Sequence, residues 1–305
     1  KVAYVAPVYG ESVFDHDGFC PVCVAITSVI CSASQNPVVI MHTQEVNSTE
    51  LRLLQNLLGV HLREVPDIDA PPACLFNLRR GTVAGILMKL NIWNLTEWDR
   101  VIAFDADMLI QYPLDHVFEM FPEVKIAAVP RSPLHPHVSK TGYFKFNGGL
   151  LLVQPDVAIF SQLKGAVGKL KDCDMNVEQP FYEKFGKEFL GAVGKLPPIY
   201  NCHRMEAAVC GLNNKEKLPI HIIHFAGKHV KPWRWREGSA RLYNTGVRRF
   251  RECVRDENLA LAASGTRANL TGPELRSTCR KTRFHTQVDQ WHAMNHLFFH
   301  ALQCG

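Results

Sequence analysis

Arg100-Val-Ile-Ala-Phe-Asp-Ala-Asp107 is the stretch that decides how this chain is read. Arg100 to Phe104 is a short apolar run with the character of a strand buried on both faces, as the central strands of parallel sheets are. It runs directly into Asp105-Ala106-Asp107, and the apolar Met108-Leu-Ile110 follows. Two aspartates in a turn often do no more than accept backbone hydrogen bonds. A solvated turn is rarely bracketed by hydrophobic runs, however, and ligands of open α/β sheets gather at the carboxyl ends of strands. Alternate side chains around such a turn can direct two hard oxygen ligands at one divalent cation, and the cation can clamp a diphosphate.

Toward the N-terminus the pattern repeats strand and helix. Val2 to Val8 reads as a strand, Phe19 to Ala33 as a helix, Val38 to Met41 as a strand, Ser48 to Leu58 as a helix capped by Ser48 or Thr49, and His61 to Val65 as a strand. From Gly81 to Leu95 apolar side chains recur at helical intervals, with Lys89 the polar exception. Its ammonium either snorkels to solvent or points into an anion site. Toward the C-terminus, Ile126 to Val129 and Leu150 to Val153 read as strands and Val157 to Leu170 as a helix. The alternation implies an α/β fold with a mainly parallel sheet flanked by helices. Beyond Trp235 the chain turns arginine-rich until a last helix near His285 to Leu302. The expected division is a domain over 1–235 and a helical appendage over 236–305 packed on it.

Composition narrows the class. With 305 residues, 47% hydrophobic and 21% charged, the chain can bury a sizeable core, and its net charge of +5 is spread along it. The arginines from Arg234 to Arg255 read as a solvated helix face, so no nucleic-acid partner is expected. No G-x-G-x-x-G follows the first strand and no G-x-x-x-x-G-K-[ST] is present, which argues against a dehydrogenase and an NTPase. No stretch reaches the roughly 20 apolar residues of a membrane span, so the chain as given reads as soluble. Its abrupt start in a strand is compatible with an upstream anchor.

The ten cysteines lack the paired spacing of a four-ligand zinc site. Cys20-Pro-Val-Cys23 opens a helix and reads as two half-buried cysteines ahead of a zinc or redox site. Together with sequons at Asn47, Asn94 and Asn269, the cysteines lean toward a secretory or Golgi lumen over the cytoplasm.

A third metal ligand is sought outside the aspartate pair. His224, ending the apolar run Ile220-His-Ile-Ile-His224 just before Phe-Ala-Gly227, is the candidate, with a hydrogen-bonded core histidine as the alternative. His221 faces the other way in a strand. His292, His296 and His300 fall four apart on the terminal helix, and a solvent or interface stripe is favoured there over a native metal site.

Five ordered blocks then resemble a known family. Gly81 to Phe118 with Lys89 and Asp105-Ala-Asp107, Phe146-Asn-Gly-Gly-Leu-Leu-Leu-Val-Gln-Pro155, Glu178-Gln179, Leu196-Pro-Pro-Ile-Tyr-Asn201 and His224-Phe-Ala-Gly-Lys-His-Val-Lys-Pro-Trp233 are similar to the glycogenin-like family 8 retaining glycosyltransferases. The resemblance implies a GT-A type Rossmann-like fold and the transfer of a hexose (glucose, galactose or glucuronic acid) from a UDP-sugar. It implies Mn2+ (or Mg2+) held by Asp105, Asp107 and His224. Lys89 would contact donor sugar or phosphate, Ala106 would lie beside the donor, and Asn147, Gly148 and Gly149 would line the donor sugar. Gly227 and Lys231 would meet the diphosphate, and Pro7 and Tyr9 would border the uracil.

That chemistry suits these residue types. The departing diphosphate gathers negative charge, which a cation and lysines offset, while the sugar becomes oxocarbenium-like. Glu178 and Gln179, with Lys89, form the expected catalytic set: the carboxylate and amide can stabilise that sugar, orient hydroxyls or form a covalent adduct. Here Pro180 follows where the family commonly has a small residue, and Met175 stands where glycogenin has an aspartate, with Asp174 one step away. The last block is one residue longer than glycogenin's, so Lys228 competes with Lys231 for the diphosphate. Partners implied are a nucleotide sugar and a glycan, protein or lipid acceptor, and a homodimer is compatible with the family. A non-catalytic nucleotide-sugar or glycan binding module on the same fold is the rival reading.

Overall fold

The computed structural model describes residues 1–13, 20–32, 34–58, 60–69, 87–130, 146–170, 182, 188, 190–203 and 219–226. The expected appendage 236–305, its terminal helix and its histidine stripe lie outside these residues, as do Glu178, Gln179, Gly227, Lys228 and Lys231.

The strands are β1 (Val2–Val8), β2 (Val38–His42), β3 (His61–Glu64), β4 (Arg100–Phe104), β5 (Met108–Ile110), β6 (Ile126–Pro130), β7 (Phe146–Val153), β8 (Val193–Lys195), β9 (Cys202–His203) and β10 (Ile222–His224). The helices are α1 (Pro21–Cys31), α2 (Ser48–Leu58) and α3 (Val157–Val167). Short 3-10 turns cover Lys89–Asn94, Asp115–Glu119 and Pro198–Tyr200. Seven strands form one sheet in the order β3-β2-β1-β4-β7-β6-β8, and β5, β10 and β9 form a second. The expected mainly parallel sheet is present, with one strand reversed. β7 is antiparallel to both β4 and β6, and it begins at Phe146, four residues before the expected Leu150.

Period-2 alternation divides the core into two layers. On β1, Tyr4, Ala6 and Val8 face α1, α2 and the small sheet, while Ala3 and Val5 face the Lys89–Asn94 turn and α3. On β4, Ile102 and Phe104 join the first layer, and Val101 and Ala103 the second. β4 is thus buried on both faces, as its composition implies.

Several local expectations change. Asn47, not Ser48 or Thr49, caps α2: its Oδ1 accepts from Thr49 N at 2.9 Å and Glu50 N at 3.1 Å. Cys20 and Cys23 are fully buried and joined in a disulfide, neither half-buried thiols nor a zinc pair. Pro21 starts α1 where a missing N–H costs nothing. Of the segment expected to be a helix up to Leu95, residues 81–86 lie outside the described residues, Leu87 and Met88 are α-helical, and Lys89–Asn94 tighten into a 3-10 turn. Asn91 Nδ2 donates to the Met88 carbonyl at 3.0 Å, a local bond of the kind that competes with α-helical pairing. Among the described residues no helix is long and apolar enough to cross a membrane.

Candidate active site

The 105–107 turn sits where the two sheets meet, and backbone bonds pin it from both sides. Asp105 N donates to Gly149 O of β7 at 2.8 Å, and Phe225 N, just past β10, donates to Asp107 O at 3.0 Å. The strand before the turn belongs to the large sheet and the strand after it to the small one. His224 ends β10 on the register Met108↔His224, which carries its ring to the start of β5.

The three expected ligands therefore converge. One donor atom from each of Asp105, Asp107 and His224 lies within 4.8 Å of the others. His224 Nε2 is 3.2 Å from Asp107 Oδ1 and 3.9 Å from Asp105 Oδ2. The imidazole is buried and the two carboxylates are partly open to solvent, so the cluster has one wall and one accessible side. Two hard oxygens and an imidazole nitrogen suit Mn2+ or Mg2+, and the open side leaves positions for phosphate oxygens.

Lys89 resolves as an inward lysine. The 3-10 turn buries Leu90, Ile92 and Trp93, and the Lys89 ammonium pairs with Asp105 Oδ1. Trp93 is itself fixed by a 3.0 Å bond from its Nε1 to Tyr182 Oη. Lys89, Pro7, Asp105 and Gly148 line a small hollow whose apolar floor includes Ile92 and Leu151. Pro7 belongs there because β1 and β4 pair Val5 with Ala103, so two residues further on Pro7 is level with Asp105. Tyr9 follows the end of β1 and is 44% exposed beside that edge. Ala106 is half-buried between the aspartates.

Asn147 and Gly149 act through the protein's own contacts. Asn147 Oδ1 accepts from Gly149 N at 2.8 Å and from Asn201 Nδ2 at 2.9 Å. Asn201 Oδ1 in turn lies 2.8 Å from His224 Nδ1. Residue type alone gives Asn201 no role, although it closes one of the five blocks. Its signal is structural: a buried amide demands partners, and here both are site residues.

Residues 13–236 match the family described as Glycosyl transferase family 8. The chain belongs to glycosyl transferase family 8. An Arabidopsis thaliana protein provisionally named UDP-glucuronate:xylan alpha-glucuronosyltransferase 5 is 25% identical over 241 residues, covering 77% of this chain and 37% of that protein. Glycogenin-1 of Homo sapiens is 25% identical over 208 residues, covering 65% of this chain and 53% of its own length. The chain thus spans between about a third and a half of these two relatives. An active-site mutant of LgtC superposes with a TM-score of 0.55 at 16% identity, over 80% of this chain and 94% of that one. That likeness establishes the GT-A glycosyltransferase fold.

Proposed function

We propose that this family 8 chain is a retaining hexosyltransferase that moves glucose, galactose or glucuronic acid from a UDP-sugar to an acceptor hydroxyl, with Mn2+ or Mg2+. The convergence of Asp105, Asp107 and His224 at the carboxyl end of β4 carries the proposal. Bound there, a divalent cation would supply charge neutralisation for the leaving diphosphate. The chain's own residues complete the task. Asp105 and Asp107, fixed by their shared turn, would hold that cation where it can meet the diphosphate. Lys89, on the far side of Asp105, adds a second positive charge where the donor's phosphate or sugar would lie. Gly148 opens the hollow to close backbone approach, and Tyr9 offers a face for a base. Glu178, Gln179, Gly227 and Lys231 enter as proposed residues on the sugar and diphosphate sides.

The relatives' names support the donor class: one is provisionally named for transfer from UDP-glucuronate to xylan, and LgtC is a galactosyltransferase crystallised with donor and acceptor sugar analogues. The rival reading, a non-catalytic binding module, gains nothing from a site whose three ligand side chains are all present and assembled. Nucleotide sugars incubated with Mn2+ and glycan, protein or lipid acceptors test the proposal by nucleotide release. Release of UDP from one UDP-hexose, raised by one acceptor class and abolished by EDTA, is the expected result. Release that is indifferent to EDTA, or no release from any donor, contradicts it.

The cysteines support an oxidising lumen as the working compartment. All four among the described residues, Cys20, Cys23, Cys31 and Cys202, are in disulfides. Alkylation of the denaturant-unfolded, unreduced protein followed by mass spectrometry should leave these four unmodified. Alkylated Cys20 and Cys23 would argue for a reducing compartment.

A further inference from the structure

The hydrogen-bond chain behind the aspartates assigns a proton. Asn147, Asn201 and His224 are all at least nine-tenths buried, so the bonds among them are made with one another and with backbone rather than with bulk water. The Gly149 N–H is an obligate donor, and the Asn147 side-chain atom it meets at 2.8 Å must therefore be the carbonyl oxygen. That oxygen also faces Asn201 at 2.9 Å and cannot donate, so Asn201 presents its NH2 group there. Asn201 Oδ1 is then the atom 2.8 Å from His224 Nδ1. An oxygen cannot donate either, so Nδ1 carries the hydrogen. Each orientation, normally a matter of choice for Asn and His, follows from one backbone N–H.

A neutral imidazole with its hydrogen on Nδ1 has a lone pair on Nε2. Nε2 is the atom that faces Asp107 and Asp105. In that neutral form, the one that can ligate a cation, three acceptors turn toward one point. We propose that Asn201 is a positioning residue: it locks His224 in the Nδ1–H tautomer, presents Nε2 to the cation, and ties that ligand to Asn147. The proposal rests on reading Asp105, Asp107 and His224 as the cation site. It adds the device that makes the histidine a ligand and not a donor.

The test uses the full chain and two readouts. Nitrogen-15 NMR of the metal-free protein, with His224 assigned by loss of its signals in His224→Gln, reads the tautomer directly. Wild type is expected to show a protonated Nδ1 and an unprotonated Nε2, and an Nε2–H tautomer in wild type overturns the proposal without any variant. Titration with Mn2+ alone gives the second readout. Asn201→Leu is expected to lose the single tautomer and to bind Mn2+ about 10- to 100-fold more weakly. Asn201→Asp keeps an acceptor against Nδ1 but loses the NH2 that meets Asn147 Oδ1, so it is expected to keep the tautomer and to bind Mn2+ more weakly than wild type but more tightly than Asn201→Leu. Equal losses in both variants would point to packing alone and overturn the proposal, as would wild-type behaviour of Asn201→Leu. If His224→Gln binds Mn2+ like wild type, the cation reading fails, and the tautomer signal still shows whether Asn201 orders the ring.

Discussion

Gly149 makes room for His224: a Cβ on Gly149 would stand 2.5 Å from the imidazole Cε1, and 2.8 Å from both Asn147 Oδ1 and Met108 Cε. Real Cβ atoms do not approach so closely, so something must shift: Met108 Cε is the far end of a flexible side chain, whereas the imidazole, the nearest of the three, can give way only by straining its buried bond. His224 and Asn147 are held by the same buried bonds, and Met108 is fully buried at the start of β5.

Gly149→Ala is accordingly expected to displace the His224 ring rather than to unfold the sheet. Overpacking of this kind costs about 1–3 kcal/mol of stability. Mn2+ affinity, measured by calorimetric titration, should fall by about 10- to 100-fold. A folded Gly149→Ala protein with unchanged Mn2+ affinity would mean that His224 is not a ligand.

Much of this site was legible in residue types. β4 announced itself as a strand buried on both faces, and a turn bracketed by two apolar runs had to lie at a sheet edge. His224 was legible because an apolar run ended on it. What was hidden depends on contacts between distant segments. Asn201 meets Asn147 and His224 from 54 and 23 residues away, and nothing local distinguishes it from any other buried amide. The reversal of β7 is set by its pairing with β4 and β6, which no property of Phe146 to Val153 reveals. At α2, Asn47, Ser48 and Thr49 are all competent caps. The choice falls to Asn47, whose backbone N–H is tied to Glu11 O at 3.0 Å, a contact with the loop after β1.

Lys89 is expected to separate cation binding from turnover. Its ammonium pairs with Asp105, so it competes with a metal for that carboxylate while adding positive charge beside the hollow. Lys89→Met should bind Mn2+ at least as tightly as wild type, yet turn over a UDP-sugar about 100-fold more slowly. Parallel titrations and rate measurements check this. Loss of both together would make Lys89 a structural support for the turn.

On the opposite face of β10, His221 stacks in a cluster with His116, Tyr200 and Tyr112 at ring-centroid separations of 5.3, 5.0 and 5.5 Å. Burial lowers its pKa below the ordinary imidazole value, the neighbouring His116 lowers it further, and a bond to the Pro113 carbonyl offsets part of the shift. The folded pKa is depressed, so the unfolded chain binds more protons in this window. Stability is complete above the unfolded value near 6.5 and falls as pH drops through the lower folded value. Melting temperature should therefore decline from pH 7.5 toward pH 5, and His221→Gln should flatten part of that slope. Identical slopes in the two proteins would remove His221 from the account.

UDP binding, titrated calorimetrically with Mn2+ and then with EDTA in wild type and in Asp107→Asn, tests the assembled cation site most directly. Mn2+ should strengthen UDP binding to wild type by about tenfold or more, a gain of about 1.4 kcal/mol, and should do nothing for Asp107→Asn. Equal UDP affinity in all four titrations would contradict the role given to Asp105, Asp107 and His224.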